Sequence, residues 1–197
     1  MKTAAQRARV LGLGLLLAAS APLAQAAQPQ QPGDGIDTQA ATSTDGRQTV
    51  FVRQVPGPPP ATELWWSRAK GQPPQRLLQE NAHADPKRSL VAFNNPVFSA
   101  DGHSVYVMTQ AWATSNAIHH INLRTGRSRF VAAGNSVQVV PHGRWAGHLV
   151  VMKHKYAPGG GARDHYWLLT PTGRELRRVG RSEDDVALFM AAAAASR

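Results

Sequence analysis

Short runs of alternating or β-branched apolar residues, separated by turns at glycine, recur three times along the chain. Each unit has a strand, a Gly turn, a second strand, a long polar loop, an aromatic-rich third strand, another Gly turn and a fourth strand. The second unit is the clearest, with Asp101-Gly102 at its first turn and Thr125-Gly126 at its second. The two turn glycines are 25, 24 and 30 residues apart in the three units. This regularity indicates one supersecondary unit present in three copies.

The turn chemistry predicts how each unit folds. Asp can hydrogen-bond the backbone of a tight turn, and Gly adopts φ > 0 without a Cβ clash, so Asp-Gly between two apolar runs favours a β-hairpin. Each unit is therefore predicted to be a four-stranded antiparallel meander. Because such a sheet has two apolar faces to bury, the three sheets should stack radially on one another. The predicted fold class is all-β.

The last residues have a different pattern. Ser182 precedes three acidic residues, Glu183, Asp184 and Asp185, and an alanine run follows Met190. A capping hydroxyl, acids near the first free amides and alanine all favour a helix. We therefore expect a short C-terminal helix within residues 182–197. Its apolar residues Val186, Phe189 and Met190 should dock on the last sheet, and a frayed tail is the alternative.

One set of segments resembles a known repeat. Residues 95–102 read Asn-Pro-Val-Phe-Ser-Ala-Asp-Gly, residues 105–107 read Val-Tyr-Val, and residues 121–126 read Ile-Asn-Leu-Arg-Thr-Gly. Together they resemble the blade motif of TolB-type β-propellers. The first unit matches more loosely. The third has Pro-His-Gly at 141–143 where the family has Pro-Asp-Gly, and Ala100 stands where the family usually has proline.

The resemblance covers about residues 41–181 and implies three blade-like sheets of a partial or open β-propeller. Members of the family close a ring with about six blades. Three blades therefore either form an open wedge or belong to chains that associate as a homo-oligomer to complete a ring, and the sequence leaves both open.

The N-terminal residues are typical of a Sec-type signal peptide. Lys2, Arg7 and Arg9 precede an uncharged apolar run at 10–19, and Ala24-Gln25-Ala26 offers small residues for cleavage. That run is about half of the roughly 20 residues that a membrane-spanning helix needs. We therefore expect a signal peptide at 1–26 and a mature chain without a transmembrane segment. The predicted location is periplasmic or secreted.

The predicted domains follow from these segments. The Pro- and Gln-rich stretch that begins after the cleavage position should be a flexible lead-in at 27–40. The three-blade domain then covers 41–181, and the C-terminal helix covers 182–197.

Composition narrows the chemistry. The 197 residues include no Cys, which excludes disulfide scaffolds and cysteine-ligated metal sites. The net charge is +10, or +7 once the three cations of the signal peptide are removed. Lys and Arg are scattered, and no nucleic-acid-binding module is present, so no nucleic-acid partner is expected. An envelope protein or an anionic envelope polymer is the expected partner.

Catalysis is the less favoured interpretation. The chain has no Gly-x-Ser-x-Gly, P-loop, dinucleotide or His-Glu-x-x-His motif, and no cofactor is expected. The alternative is a metal-dependent envelope enzyme acting on polysaccharide, because some TolB-type propellers are metal-dependent polysaccharide lyases. Its metal site would combine His120 with His165 from a neighbouring sheet.

The favoured function is an exported soluble binding or scaffold module of the envelope. In a four-stranded meander the middle loop and the connection between sheets lie at one end, and the tight turns lie at the other. The middle loops at 54–62, 109–116 and 157–164 and the connection at 79–95 should therefore form one long-loop end. The candidate ligand-binding residues at that end are Trp112, Arg163, Lys87 and Arg88.

We predict that the mature protein begins at Ala27, because Ala24 and Ala26 satisfy the small-residue requirement of signal peptidase. Intact-mass measurement of the exported protein checks this. Recovery of exported protein that still carries residues 1–26 would contradict it.

Overall fold

The structure of the protein, a computed structural model, describes residues 35–157 and 159–196. The predicted signal peptide at 1–26 and its cleavage position lie outside the described residues. No helix in this described part of the chain is both long and apolar enough to cross a membrane.

Within residues 35–157 and 159–196, twelve strands form three four-stranded antiparallel sheets, each a meander in chain order. The first sheet contains β1 (Ile36–Thr42), β2 (Thr49–Val55), β3 (Ala61–Ser67) and β4 (Gln75–Gln79). The second contains β5 (Asn94–Phe98), β6 (Ser104–Thr109), β7 (Asn116–Asn122) and β8 (Ser128–Gly134). The third contains β9 (Ser136–Val139), β10 (Leu149–Tyr156), β11 (Ala162–Leu169) and β12 (Glu175–Gly180). The predicted fold class is confirmed.

The first turns of the first two sheets have the same hydrogen bonds. Ser43 Oγ donates to Asp45 at 2.6 Å and accepts from the amide five residues later at 3.0 Å. Ser99 and Asp101 repeat both bonds, also at 2.6 Å and 3.0 Å. The hydroxyl hydrogen bonds lower the pKa of both aspartates below the usual range. The repeat is therefore present in side-chain chemistry as well as in strand order.

The third sheet differs at this position, and the prediction of a tight turn at 141–143 was wrong. Residues 140–148 form a longer connection with a short 3₁₀ helix at Gly143–Trp145. His142 stands where the other two turns have Asp, so the Ser–Asp hydrogen bond is absent at this site. Gly143 instead packs against the C-terminal helix, where an added Cβ would collide with the carbonyl of Ala193.

Strand pairing also extends further than expected. The middle loops are shorter, at 56–60, 110–115 and 157–161, because cross-strand pairing continues to Val55↔Ala61 and Tyr156↔Ala162. The first strand begins at Ile36, within the predicted flexible lead-in, and Ile36 pairs with Gln54. Backbone hydrogen bonds to β2 order this segment although its side chains are mostly exposed.

Two apolar layers join the sheets. The first lies between sheets one and two and includes Val50, Val52, Leu64, Trp66, Val105, Val107, Ile121 and Leu123. The second lies between sheets two and three and includes Tyr106, Met108, Ile118, Val131, Val137, Leu149, Val151 and Leu169. Inner strands β1, β5 and β9 contact one another in that order. The sheets therefore stack like blades around these inner strands.

The helix α1 (Glu183–Ala195) covers the remaining apolar face of the third sheet. Val186 and Ala193 are buried against Val150, Tyr166 and Leu168 of that sheet. A capping box starts the helix: Ser182 Oγ accepts from the amide of Asp185 at 3.2 Å, and the Asp185 carboxylate accepts from the Ser182 amide at 3.1 Å. Because α1 occupies this face, no further sheet can stack there while the helix is docked.

We expect Gly102→Val and Gly126→Val each to lower the free energy of unfolding by about 1 kcal/mol or more. Their φ angles are 69° and 66°, in the left-handed region that β-branched residues avoid. The nearest atom to an added Cβ is 3.7 Å away at both sites, so the loss comes from backbone strain rather than collision. Chemical denaturation measures it.

The matched control is Gly102→Asn, because Asn tolerates the left-handed region. It should be clearly less destabilising than Gly102→Val. Equal stability of the Val variant and the parent would contradict the turn assignment.

Candidate functional site

A groove of about 380 Å³ lies near the long-loop end of the third sheet. Three cations, one histidine and two aromatic residues line it: Lys155, Tyr156, Arg163, His165, Trp167 and Arg178. Alternation along β11 explains this set apart from Tyr156, because residues two apart in a strand point to the same face. Arg163, His165 and Trp167 follow that spacing, and Lys155 and Arg178 are cross-strand partners of Arg163 and Trp167.

The lysines at the groove have a carboxylate partner. Lys155 Nζ lies 2.7 Å from Glu175 and 3.7 Å from the centre of the Trp167 ring, and Lys153 Nζ lies 2.5 Å from the same carboxylate. Desolvation by burial acts to raise the pKa of Glu175, but hydrogen bonds and charge from the two lysines outweigh it and lower the pKa. Glu175 therefore stays ionised and compensates much of the lysine charge.

The arginines are different. Arg163 and Arg178 are exposed, and neither makes an ion pair or a side-chain hydrogen bond within the described part of the chain. No Asp or Glu is among the described residues that line the groove. Guanidinium groups present a planar fork of donors that matches carboxylate or phosphate oxygens. The groove thus offers two free anion-binding forks.

A second cluster forms around Phe130, which the sequence analysis did not single out. The Trp112 ring, 37% exposed, packs edge-on against Phe130 with 6.2 Å between ring centres. Lys87 Nζ lies 5.7 Å from the centre of the same ring, and His119 contacts it from within the sheet. Trp112 is therefore both packed and partly accessible. The structure brings two of the four predicted ligand-binding residues, Trp112 and Lys87, to one aromatic side chain.

The loop at 110–115 lies between the groove and the Phe130 cluster. Trp112 contacts Phe130, whereas Thr114 Oγ1 lies 3.5 Å from the hydroxyl of Tyr156, which lines the groove. Asn135 holds the loop by donating to the Thr114 carbonyl at 2.9 Å. One short loop therefore borders both cation–aromatic surfaces.

The other two predicted ligand-binding residues, Arg163 and Arg88, lie in different places. Arg163 lies in the groove, as described above. Arg88 is exposed, and its backbone amide donates to the Asp85 carbonyl at 2.9 Å in a turn. Its side chain contributes to neither surface. A period-two pattern through Arg163, His165 and Trp167 was the signal in the sequence that could have identified the rest of the groove.

The two histidines of the predicted metal site are not brought together. His120 lies near the tight-turn end of β7, where it packs on Tyr106 with ring centres 5.4 Å apart. Burial, and then the charge of Arg129, lowers the pKa of His120. His165 lies near the long-loop end of β11, in the groove. Among the described residues, no three His, Asp or Glu side chains are grouped as metal ligands would be.

A His–Asp pair lies on the other face of the third sheet. His154 Nδ1 is 2.8 Å from Asp164 Oδ1, and the His154 ring packs edge-on against Tyr156. A carboxylate can orient a histidine in this way for nucleophilic catalysis. However, no hydroxyl within the described residues hydrogen-bonds to His154, so the pair lacks a nucleophile.

His119 is the most deeply buried histidine among the described residues. It is 1% exposed, and its Nε2 has no hydrogen-bond partner in the described part of the chain. Desolvation lowers its pKa to about 4. The imidazole is therefore neutral at physiological pH and serves as part of the wall behind Phe130.

No protein-family model matches the chain, and no curated protein matches it. Among solved structures, the β-propeller domain of the Trilobed protease from Pyrococcus furiosus, described as an open propeller, is 12% identical with a TM-score of 0.50. The match covers 73% of this chain and 42% of that one. Pyrococcus horikoshii acylaminoacyl peptidase is 11% identical with a TM-score of 0.51, over 74% of this chain and 25% of that one. These likenesses show a propeller fold, and this chain spans less than half of either protein.

TolB from Acinetobacter baumannii is 13% identical with a TM-score of 0.34, over 69% of this chain and 41% of that one. The likeness to the two Pyrococcus proteins and the three four-stranded sheets of the described residues confirm the blade-like architecture. Membership of the TolB-type repeat family stays an interpretation of the sequence motif.

We predict that acid destabilises the protein through His119. An unfolded histidine has a pKa of about 6.5. Between that value and about 4, the unfolded chain binds a proton that folded His119 does not, so stability falls as the pH falls through this window. The loss from pH 7 to pH 4.5 should be about 2 kcal/mol smaller in His119→Gln. Urea denaturation at each pH measures it.

The exposed His103→Gln variant is the control and should show the same acid loss as the parent. If His119→Gln and the parent lose stability equally, His119 does not stay neutral in the folded state.

Proposed function

We propose that the protein is an exported binding or scaffold module of the cell envelope that holds an anionic partner at the long-loop end of its sheets. The single observation that supports this most is the pair of exposed guanidinium groups, Arg163 and Arg178, at a groove without an acidic lining residue. An anion that enters the groove can satisfy both forks, because no carboxylate among the described residues hydrogen-bonds to either guanidinium group.

The surroundings of the arginines support the same function. Tyr156 is 71% exposed at the edge of the groove, which gives a partner an aromatic surface at small entropic cost. The net charge of +7 in the predicted mature chain adds a long-range attraction for anionic surfaces. Export is supported by the tripartite N-terminal pattern of the sequence.

Binding is favoured over catalysis because the described side chains lack a complete reactive set. Among the described residues, no hydroxyl hydrogen-bonds to His154 of the His154–Asp164 pair, and no third His, Asp or Glu is grouped with His120 and His165 as a metal site would need. The groove combines arginines with aromatic residues, a composition that suits binding of an anionic partner. We therefore do not propose the polysaccharide-cleaving, metal-dependent activity.

The test uses protein exported by cells that express the full chain, and envelope material from the same organism. Arg163→Ala should weaken co-sedimentation with that material severalfold, because a charge-assisted hydrogen-bond pair is lost. The melting temperature should be unchanged, since Arg163 is exposed and makes no ion pair among the described residues.

Arg127→Ala is the matched control, because Arg127 is an exposed arginine at the tight-turn end of the second sheet. It should leave binding unchanged. Equal losses from both variants would indicate non-specific charge attraction and contradict a site in the groove. Retention of the protein in the cytoplasm would contradict export.

A further inference from the structure

The spacing of the groove's charges limits the shape of its ligand. Arg163 and Trp167 are four residues apart in β11, which is roughly 13 Å along an extended strand. Arg178 is the cross-strand partner of Trp167, so the two free guanidinium groups start from opposite ends of the groove. One carboxylate fills one fork in a bidentate pair. A ligand that satisfies both arginines therefore carries anionic groups at intervals along its length.

Aromatic surface accompanies these charges. Trp167 lies beside its cross-strand partner Arg178, and the exposed Tyr156 follows Lys155 at the edge of the groove. Sugar rings have apolar C–H faces that pack on aromatic rings, while their carboxylates point outward in the ring plane. A chain of acidic sugars therefore matches a groove that combines aromatic rings with cations.

The Phe130 cluster extends this surface across the 110–115 loop. It repeats the same chemistry, with a partly exposed Trp112 and a cation at Lys87. The contact between Thr114 and Tyr156 places the loop that carries Trp112 at the edge of the groove. A small anion would occupy only one of the two surfaces.

We infer that the ligand is a linear polysaccharide bearing carboxylates, long enough to contact both the Arg163 groove and the Phe130 cluster. This inference rests on the proposed function and names the class of ligand that the groove binds. The groove acts as the primary subsite because no described carboxylate forms an ion pair with its arginines. The Phe130 cluster adds affinity only for long chains.

The experiment measures binding of exported, purified protein to two probes, digalacturonate and polygalacturonate, by calorimetry. Polygalacturonate should bind at least tenfold more tightly per chain, because only the polymer reaches both surfaces. Arg163→Ala should weaken both probes about tenfold, the size of one charge-assisted hydrogen-bond pair. Lys87→Ala should weaken polygalacturonate severalfold and leave digalacturonate unchanged.

Binding of polyglutamate, measured in the same way, distinguishes recognition of sugar rings from attraction by charge alone. Tyr156→Ala should weaken polygalacturonate more than polyglutamate, since only the sugar chain stacks on the ring. Arg127→Ala is the control for all probes and should change none of them. Melting temperatures of the variants verify that each is folded.

Three results would overturn the inference: equal binding of polyglutamate and polygalacturonate, no effect of Lys87→Ala on binding of the polymer, or no binding of polygalacturonate. None of them contradicts the proposed function, which fails if Arg163→Ala leaves binding to envelope material unchanged or if Arg127→Ala weakens that binding equally. An acidic protein as ligand would appear as loss of envelope binding in Arg163→Ala together with no binding of polygalacturonate.

Discussion

Each sheet of this protein has two apolar faces, and the need to cover both of them governs the rest of the structure. The facing layers of sheets one and two, and of sheets two and three, bury most of the core. The free face of the third sheet is covered by α1 through Val186 and Ala193. The helix thus takes the place that a next blade would have on this side of the stack.

The packing of α1 on the third sheet also explains why residue 143 is a glycine. Gly143 lies where α1 crosses the connection between β9 and β10, and its missing Cβ lets the helix approach. The connection at 140–148 has no Ser–Asp pair and instead contains a short 3₁₀ helix that contacts α1. The departure from the repeat at 141–143 thus coincides with the packing of the helix on the stack.

The basic residues at the long-loop end of the third sheet differ in whether a carboxylate compensates their charge. Glu175 compensates Lys153 and Lys155 by direct hydrogen bonds, so these lysines mainly support the Trp167 ring and the strand edge. Arg163 and Arg178 have no such partner among the described residues. Counting basic residues would treat all four as equal, yet only two are available to an external anion.

The sequence by itself determined the number of sheets, their meander order, the tight turns of the first two sheets and the C-terminal helix. These depend on local chemistry: an Asp-Gly turn or a Ser182 cap acts on amides a few residues away. The position of Arg163 near the long-loop end was also predictable, because it depends on the order of strands and loops and not on any contact of its side chain.

Only the tertiary structure decided which side chains meet. Lys87 and Trp112 both reach Phe130, and Glu175 reaches Lys155, across strands and connections that are distant in the chain. It also placed His120 against Tyr106 and His165 in the groove, and it grouped no further described His, Asp or Glu with them as metal ligands. Such contacts depend on sheet register and stacking, which residue types alone do not specify.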